Sequence, residues 1–216
     1  ILITILLLVS PLTGCKQNIN KNATNIEDAI TLSIGYLKNN TLSSGRFIYR
    51  RHANPDITYN NIKYNALRHA GTLYAMYLCE KYLQDTFLRD SRIISSRYFI
   101  ENYIQQIDSN RYAVVSKLEE EKGTKSKAKL GGAGLALIAL SNLYPEKGVD
   151  LTVLEGLGNF IISMQTPDGN YASEFFMDTK NVGIRFQSLY YPGEAALGLL
   201  YLNEVNPQSK WLDSAK

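Results

Sequence analysis

Gly71, Gly132 and Gly193 stand at two equal intervals of 61 residues, and each lies in a run of small, apolar residues. The runs are Ala70–Met76, Gly132–Leu140 and Gly193–Leu200. A helix that is apolar nearly all round is a buried helix, and its Gly and Ala residues let neighbouring backbones come close. A second element recurs ahead of each run. Gly45-Arg46-Phe47, Asn110-Arg111-Tyr112 and Gly169-Asn170-Tyr171 share the form Gly or Asn, polar, aromatic, at intervals of 65 and 59. Two elements in one order, three times over, read as a structural repeat near 60 residues, with the register slipping in the loops.

A buried helix cannot cover itself, so each copy needs an amphipathic partner. Thr24-Asn25-Ile26-Glu27 has the form of a capping box and predicts a helix through Leu37. Ile100, Ile104 and Ile107 mark one face of a helix expected from about Leu88 to Ile107. Leu154, Leu157, Ile161 and Met164 mark another, from an N-cap at Asp150 to Gln165. Lys210–Lys216 opens the next. Pro167-Asp168-Gly169 is a turn signal, because proline presets φ and glycine accepts a positive one. The order is amphipathic helix, turn with an aromatic, polar loop, buried helix. Hairpins of this kind stack and can curve into a ring of inner and outer helices.

The stretch Leu157–Tyr171, with Gln165, Asp168, Gly169 and Tyr171, resembles the Q-x-x-D-G-x-aromatic turn of the α/α toroids. That superfamily holds terpenoid cyclases, protein prenyltransferase β subunits and thioester domains. Tyr190-Tyr191-Pro192-Gly193-Glu194-Ala195 is similar to inner-helix openings in six-hairpin toroids that process sugars. Those are polysaccharide lyases, unsaturated glucuronyl hydrolases and uronate epimerases. The sequence given lacks the Asp-rich motif of the cyclases, the zinc ligands of the prenyltransferases and a Cys-Gly-Glu-Gln thioester. The resemblance implies an all-α fold, a partial α/α toroid of about three helical hairpins over residues 25–216. The lack of an initiator Met and the helix just begun at Ser209–Lys216 make a fragment of a longer reading frame the expectation.

Ahead of the repeat, Ile1–Val9 is apolar and uncharged, Pro11 breaks any helix, and Leu12-Thr13-Gly14-Cys15 follows. The run is too short to span a bilayer core of about 30 Å. This stretch resembles the bacterial lipobox. That resemblance implies a signal peptide over 1–14, a diacylglycerol on Cys15, a lipidated linker over 15–24, and a place in the bacterial cell envelope. The anchor would sit on the outer face of the cytoplasmic membrane or in the outer membrane. With Cys15 lipidated, Cys79 has no disulfide partner; it falls in an apolar helical stretch and reads as inert. A net charge of +3 without a long basic run gives no argument for nucleic acid. Two histidines and one remaining thiol argue against a His/Cys metal site, and no metal or cofactor is expected.

In such a ring the loops before the inner helices gather at one mouth, beside helix N-termini that favour polar or anionic ligands. Glu194 falls in the first turn of the third inner helix and is a candidate acid or base; the same position also suits a carboxylate that merely complements the helix dipole. Arg68-His69 opens the first inner helix. It reads either as a cation pair holding a carboxylate, with His69 exchanging protons, or as a loop residue and a packed histidine. Glu174 and Asp178 lie among Phe175, Phe176 and Tyr171 and are candidate catalytic carboxylates, while Asp168 belongs to the turn. Arg50, with Arg46, Arg51 and His52, is a candidate for holding an anionic sugar. Tyr171, Tyr190 and Tyr191, among 15 tyrosines in all, offer ring faces for sugars. The expected partner is a glycan or another polar envelope ligand. Two classes of function stay open: a hydrolase, lyase or epimerase acting on a complex or anionic glycan, and a non-catalytic toroid lipoprotein that binds envelope glycan or a protein partner.

Overall fold

The computed structural model describes residues 25–57, 64–83, 88–116, 126–146, 148–183 and 185–216. The expected signal peptide and the whole of the linker, Cys15 included, lie outside these residues. The described chain is mostly helical. Its α-helices are α1 (Ile26–Asn39), α2 (Ala66–Leu83), α3 (Arg89–Tyr103), α4 (Leu130–Leu140), α5 (Leu151–Ser163), α6 (Tyr191–Val205) and α7 (Ser209–Ala215). A 3-10 turn, Ser141–Glu146, follows α4.

The three apolar runs become α2, α4 and α6, and they lie side by side with α4 in the middle. Every residue of α4 except Leu135 is buried, as an all-round apolar sequence requires. The amphipathic helices pair with them: α1 and α3 on α2, α5 on α4 and α6, α7 on α6. The closest approach is between α4 and α6. A Cβ on Gly134 would run into the backbone of Glu194 and Ala195, and one on Gly198 would meet Gly134 O at 2.7 Å. The glycines of the 61-residue spacing behave otherwise. Gly132 lies against Val114 and Leu67, while Gly71 and Gly193 have nothing within 4 Å of a built Cβ. The spacing therefore marks the right helices but not one shared contact.

The turns repeat more faithfully. Each closes with an antiparallel pair six residues apart: Thr41 with Phe47, Gln106 with Tyr112, Gln165 with Tyr171. Inside each, an N–H donates to the carbonyl four residues on: Leu42 to Arg46, Ile107 to Arg111, Thr166 to Asn170, at 2.9, 2.8 and 2.7 Å. Gly45 and Gly169 take φ of 86° and 85° at equivalent places. Asn110 stands at that place in the second copy and has no positive φ; the Asp108 carboxylate accepts its N–H instead, at 3.0 Å. Each turn then docks on the next outer helix. Gly45 packs on Ile94 and Tyr98 of α3. The Tyr112 ring fills the space over Gly156 of α5, and Arg111 Nη1 donates to Ser163 Oγ at 3.1 Å. Tyr171 donates its hydroxyl to Ser214 O on α7, and Ser214 Oγ donates to Gln165 Oε1 at 3.0 Å. The Gln and the aromatic of the toroid-like turn thus staple one hairpin to the next.

Three expectations need correction. The described chain is not all-α. It has a two-stranded sheet, β1 (Ile104–Gln106) with β2 (Tyr112–Val114), and a three-stranded one in the order β3 (Lys127–Lys129), β4 (Glu174–Phe176), β5 (Asn181–Gly183). The segments that lead from an outer helix into the next inner helix pair antiparallel with one another, and pairing satisfies backbone groups that the packing would otherwise leave buried and bare. The helix expected to reach Ile107 stops at Tyr103 for the same reason, because Ile104 turns extended and pairs with Val114. The first helix is capped by Asn25 rather than Thr24, with Asn25 Oδ1 accepting from Asp28 N–H at 2.9 Å.

Candidate functional site

The inner-helix N-termini meet at one end of the layer. Leu67, in the first turn of α2, touches Gly132 of α4, and Gly131 of α4 lies against Tyr191 and Glu194 of α6. Ser173, fully buried, ties the surrounding loops together. Its carbonyl accepts from Leu130 N–H at 3.1 Å, fixing the start of α4. Its hydroxyl accepts from Ser188 N–H at 2.8 Å, fixing the segment that leads into α6. Ser188 Oγ in turn accepts from the N–H groups of Tyr190 and Tyr191, at 3.2 and 3.3 Å, and so caps α6. Pro192 in the first turn of α6 needs no N–H partner.

Glu194 is the outstanding group here. It is half-buried, and its Oε2 is shut off from solvent without a hydrogen-bond partner. Desolvation pushes its pKa up from the ordinary 4.5 to about 7. The carboxyl therefore exchanges its proton near neutrality. It shares its place over Gly131 with Tyr191, whose ring meets the exposed Phe186 edge-on at 6.0 Å, and the exposed Leu189 and Tyr190 lie just ahead in the chain. A titrating carboxyl beside exposed ring faces can bind a sugar ring and pass it a proton.

On the other side of the α4 N-terminus stands Arg68, exposed in the first turn of α2. Its backbone N–H is capped by Asn65 Oδ1 at 3.0 Å, and its Nη1 donates to Tyr49 Oη at 2.7 Å, with the guanidinium over the Tyr49 ring. Arg68 and Glu194 thus share one end of the molecule, flanking α4.

His69 does not join them. It is 1 % exposed and ringed by Phe47, Tyr98, Phe99 and Tyr103. Nε2 donates to Ser95 O at 2.9 Å, which leaves Nδ1 to accept from Tyr64 Oη–H at 2.7 Å. The Tyr64 oxygen accepts in turn from Phe47 N–H at 3.1 Å. Burial lowers the His69 pKa from 6.5 to about 4. It is a neutral core histidine with both ring nitrogens in use.

The remaining candidates scatter. Glu174, on β4, forms an ion pair with Lys127 at 3.2 Å. Asp178 is exposed beyond β4 and accepts from Thr179 N–H at 2.9 Å. Tyr171 lies in the core, its hydroxyl held by Ser214, and presents no face to a ligand. Arg50 is exposed on the loop after the first turn, next to Arg51 and His52. Asp168 serves its turn; hydrogen bonds from Thr166 and Asn170 hold its carboxyl below the usual range. Sequence reasoning passed over Ser173, Ser188 and Phe186, for no spacing in the chain announces a serine that ties three loops. Among the described residues no group of three or more His, Cys, Asp or Glu side chains is placed to hold a metal ion. No described helix is long and apolar enough to cross a membrane. No protein-family model, curated protein or solved structure matches the chain.

Proposed function

We propose that this chain is a lipid-anchored envelope protein carrying a partial α/α toroid, and that the mouth of the toroid acts on a complex or anionic glycan through Glu194. Support for the toroid comes from the side-by-side α2, α4 and α6 and from three turns that each staple to the following outer helix. The observation that carries the functional reading is the Glu194 carboxyl, with one oxygen buried and unpartnered and a pKa near 7. A carboxyl of this kind donates its proton to an oxygen of a bound sugar and recovers it afterwards. Tyr190 and Phe186 supply ring faces, and Arg68 supplies a cation for a carboxylate on the glycan.

The test is incubation of the full chain with a panel of neutral and uronate-bearing glycans, read by mass spectrometry, beside Glu194→Gln. The reading expects a time-dependent product with the wild type and none with the variant. One observation favours a second reading, a non-catalytic glycan binder: His69 is sealed in the core, Glu174 is ion-paired and Asp178 stands exposed beyond β4, so no described contact joins a second proton carrier from the predicted set to Glu194. Binding without any change of ligand mass would select that reading. Neither binding nor product across the panel would reject both.

A further inference from the structure

Helix α1 carries more apolar surface than its packing uses. Its inner face buries Ile34, with Ile30 and Leu37 packed beside it against Met76 and Leu88. Its other side is apolar too: Ala29, Leu32 and Tyr36 follow at steps of three and four residues, and these and Ile26, at the start of the inner line, are all exposed. Ile26 is 72 %, Leu32 46 % and Tyr36 49 % accessible. One apolar stripe suffices to seat a helix on a core, so the second is free for another surface. At the C-terminal end of this stripe lies a hollow of about 400 Å³ lined by Leu32, Tyr36, Asn39, Asn40 and Arg51. Arg51 is fixed there by a hydrogen bond from its Nε to Asn40 Oδ1. Lys38 lies in the last turn of α1 and Arg50 flanks Arg51 in the chain, whereas Glu27 and Asp28 occupy the opposite end of the helix. Leu42 and Ile57, 44 % and 47 % accessible, extend the exposed apolar set on the loops that follow.

Apolar side chains along one helix face, with a tyrosine and an arginine at one end, suit the boundary between headgroups and acyl chains. The chain path fits the same partner. Ten residues separate Cys15 from Asn25, and even fully extended they reach only about 35 Å. A lipid on Cys15 would therefore hold α1, the first described helix, within that distance of the membrane.

We infer that the outer face of α1 lies on the bilayer surface and that the Arg51 hollow receives the phosphate of an anionic lipid headgroup. The inference rests on the reading of Cys15 as lipidated, and the test separates the two. Full chain purified from membranes, with Cys79→Ala to remove the half-buried free thiol, carries an environment-sensitive label at Leu32→Cys or, as control, at Leu212→Cys on α7. Each is mixed with vesicles of phosphatidylcholine with or without phosphatidylglycerol, containing nitroxide lipids as quenchers, and the mass of the N-terminal peptide is read in parallel. The expected result is quenching at position 32 about three-fold or more above that at 212, greater with phosphatidylglycerol and reduced by Arg51→Gln. A lipid mass on Cys15 with equal quenching at both positions overturns the docking and leaves the anchor standing. Preferential quenching at 32 without that mass overturns the anchor and upholds the docking. Quenching at 32 that ignores both lipid charge and Arg51→Gln overturns the headgroup site.

Discussion

The first turns of α2 and α6 each bury a titratable side chain, and the two are treated in opposite ways. His69 has a partner on each ring nitrogen and five aromatic neighbours. Glu194 has an oxygen closed off from water with no partner. Burial costs the charged form in both cases, so both become neutral, the histidine by losing its proton and the carboxyl by keeping one. The contrast separates structure from site. A buried polar group that is fully hydrogen-bonded fixes a packing arrangement, whereas one left half-buried and unsatisfied keeps capacity for a ligand.

Substitutions that exchange these fates test the contrast, and the largest effect belongs to Glu194. Glu194→Gln keeps the shape and removes the proton, so turnover on any glycan that the panel identifies should fall about 10²- to 10⁴-fold while circular dichroism stays unchanged. A variant within tenfold of wild type would erase the distinction. His69→Ala leaves a cavity among rings and strips Tyr64 and Ser95 of their partner, for a loss of about 3 kcal/mol in chemical denaturation. Its folded fraction should bind ligand as before; lost binding at unchanged stability would return His69 to the ligand site.

Next come the glycines. Gly134→Ala pushes a methyl into the α6 backbone under Glu194 and should cost about 1–3 kcal/mol. Gly71→Ala meets open space inside a helix and should stabilise by about 0.5–1 kcal/mol. Equal effects at the two sites would mean that α4 and α6 do not cross where the structure puts them.

The subtlest effect is in pH. Glu194 has a folded pKa raised from 4.5 to about 7, so its contribution is fully present below pH 4.5 and is lost as pH rises through 7. His69 has a folded pKa lowered from 6.5 to about 4, so its contribution is present above 6.5 and is lost as pH falls through 4. The two slopes oppose each other between pH 4.5 and 6.5. Wild type should therefore lose stability relative to Glu194→Gln as pH rises from 4.5 to 7, measured by denaturant midpoint. A difference that is flat or grows the other way would contradict the burial assigned to Glu194.

The fate of His69 was within reach of the sequence. Ala66, His69, Ala70, Leu73 and Met76 follow one another at helical spacing, and all are buried, so His69 stands in phase with the core. Glu194 precedes the buried stripe Ala195, Gly198, Leu199 and Leu202 and falls at its edge, where side chains are half-covered. The turns were legible because glycine, proline and carboxylate chemistry is local. The strands were not. Lys127–Lys129 pairs with Glu174–Phe176, and Ser173 links α4 to the segment ahead of α6, across separations that no local pattern encodes. Tyr171 misled for a related reason: its place in the turn was clear, but the helix that buries it lies more than forty residues further on.

The account turns on a carboxyl that holds its proton near neutral pH at the start of α6. The direct measurement is a ¹³C NMR titration of the glutamate side-chain carboxyl resonances, with Glu194→Gln to assign the one that disappears. A midpoint near 7 for that resonance is the predicted result, and a midpoint at the ordinary 4.5 would contradict it.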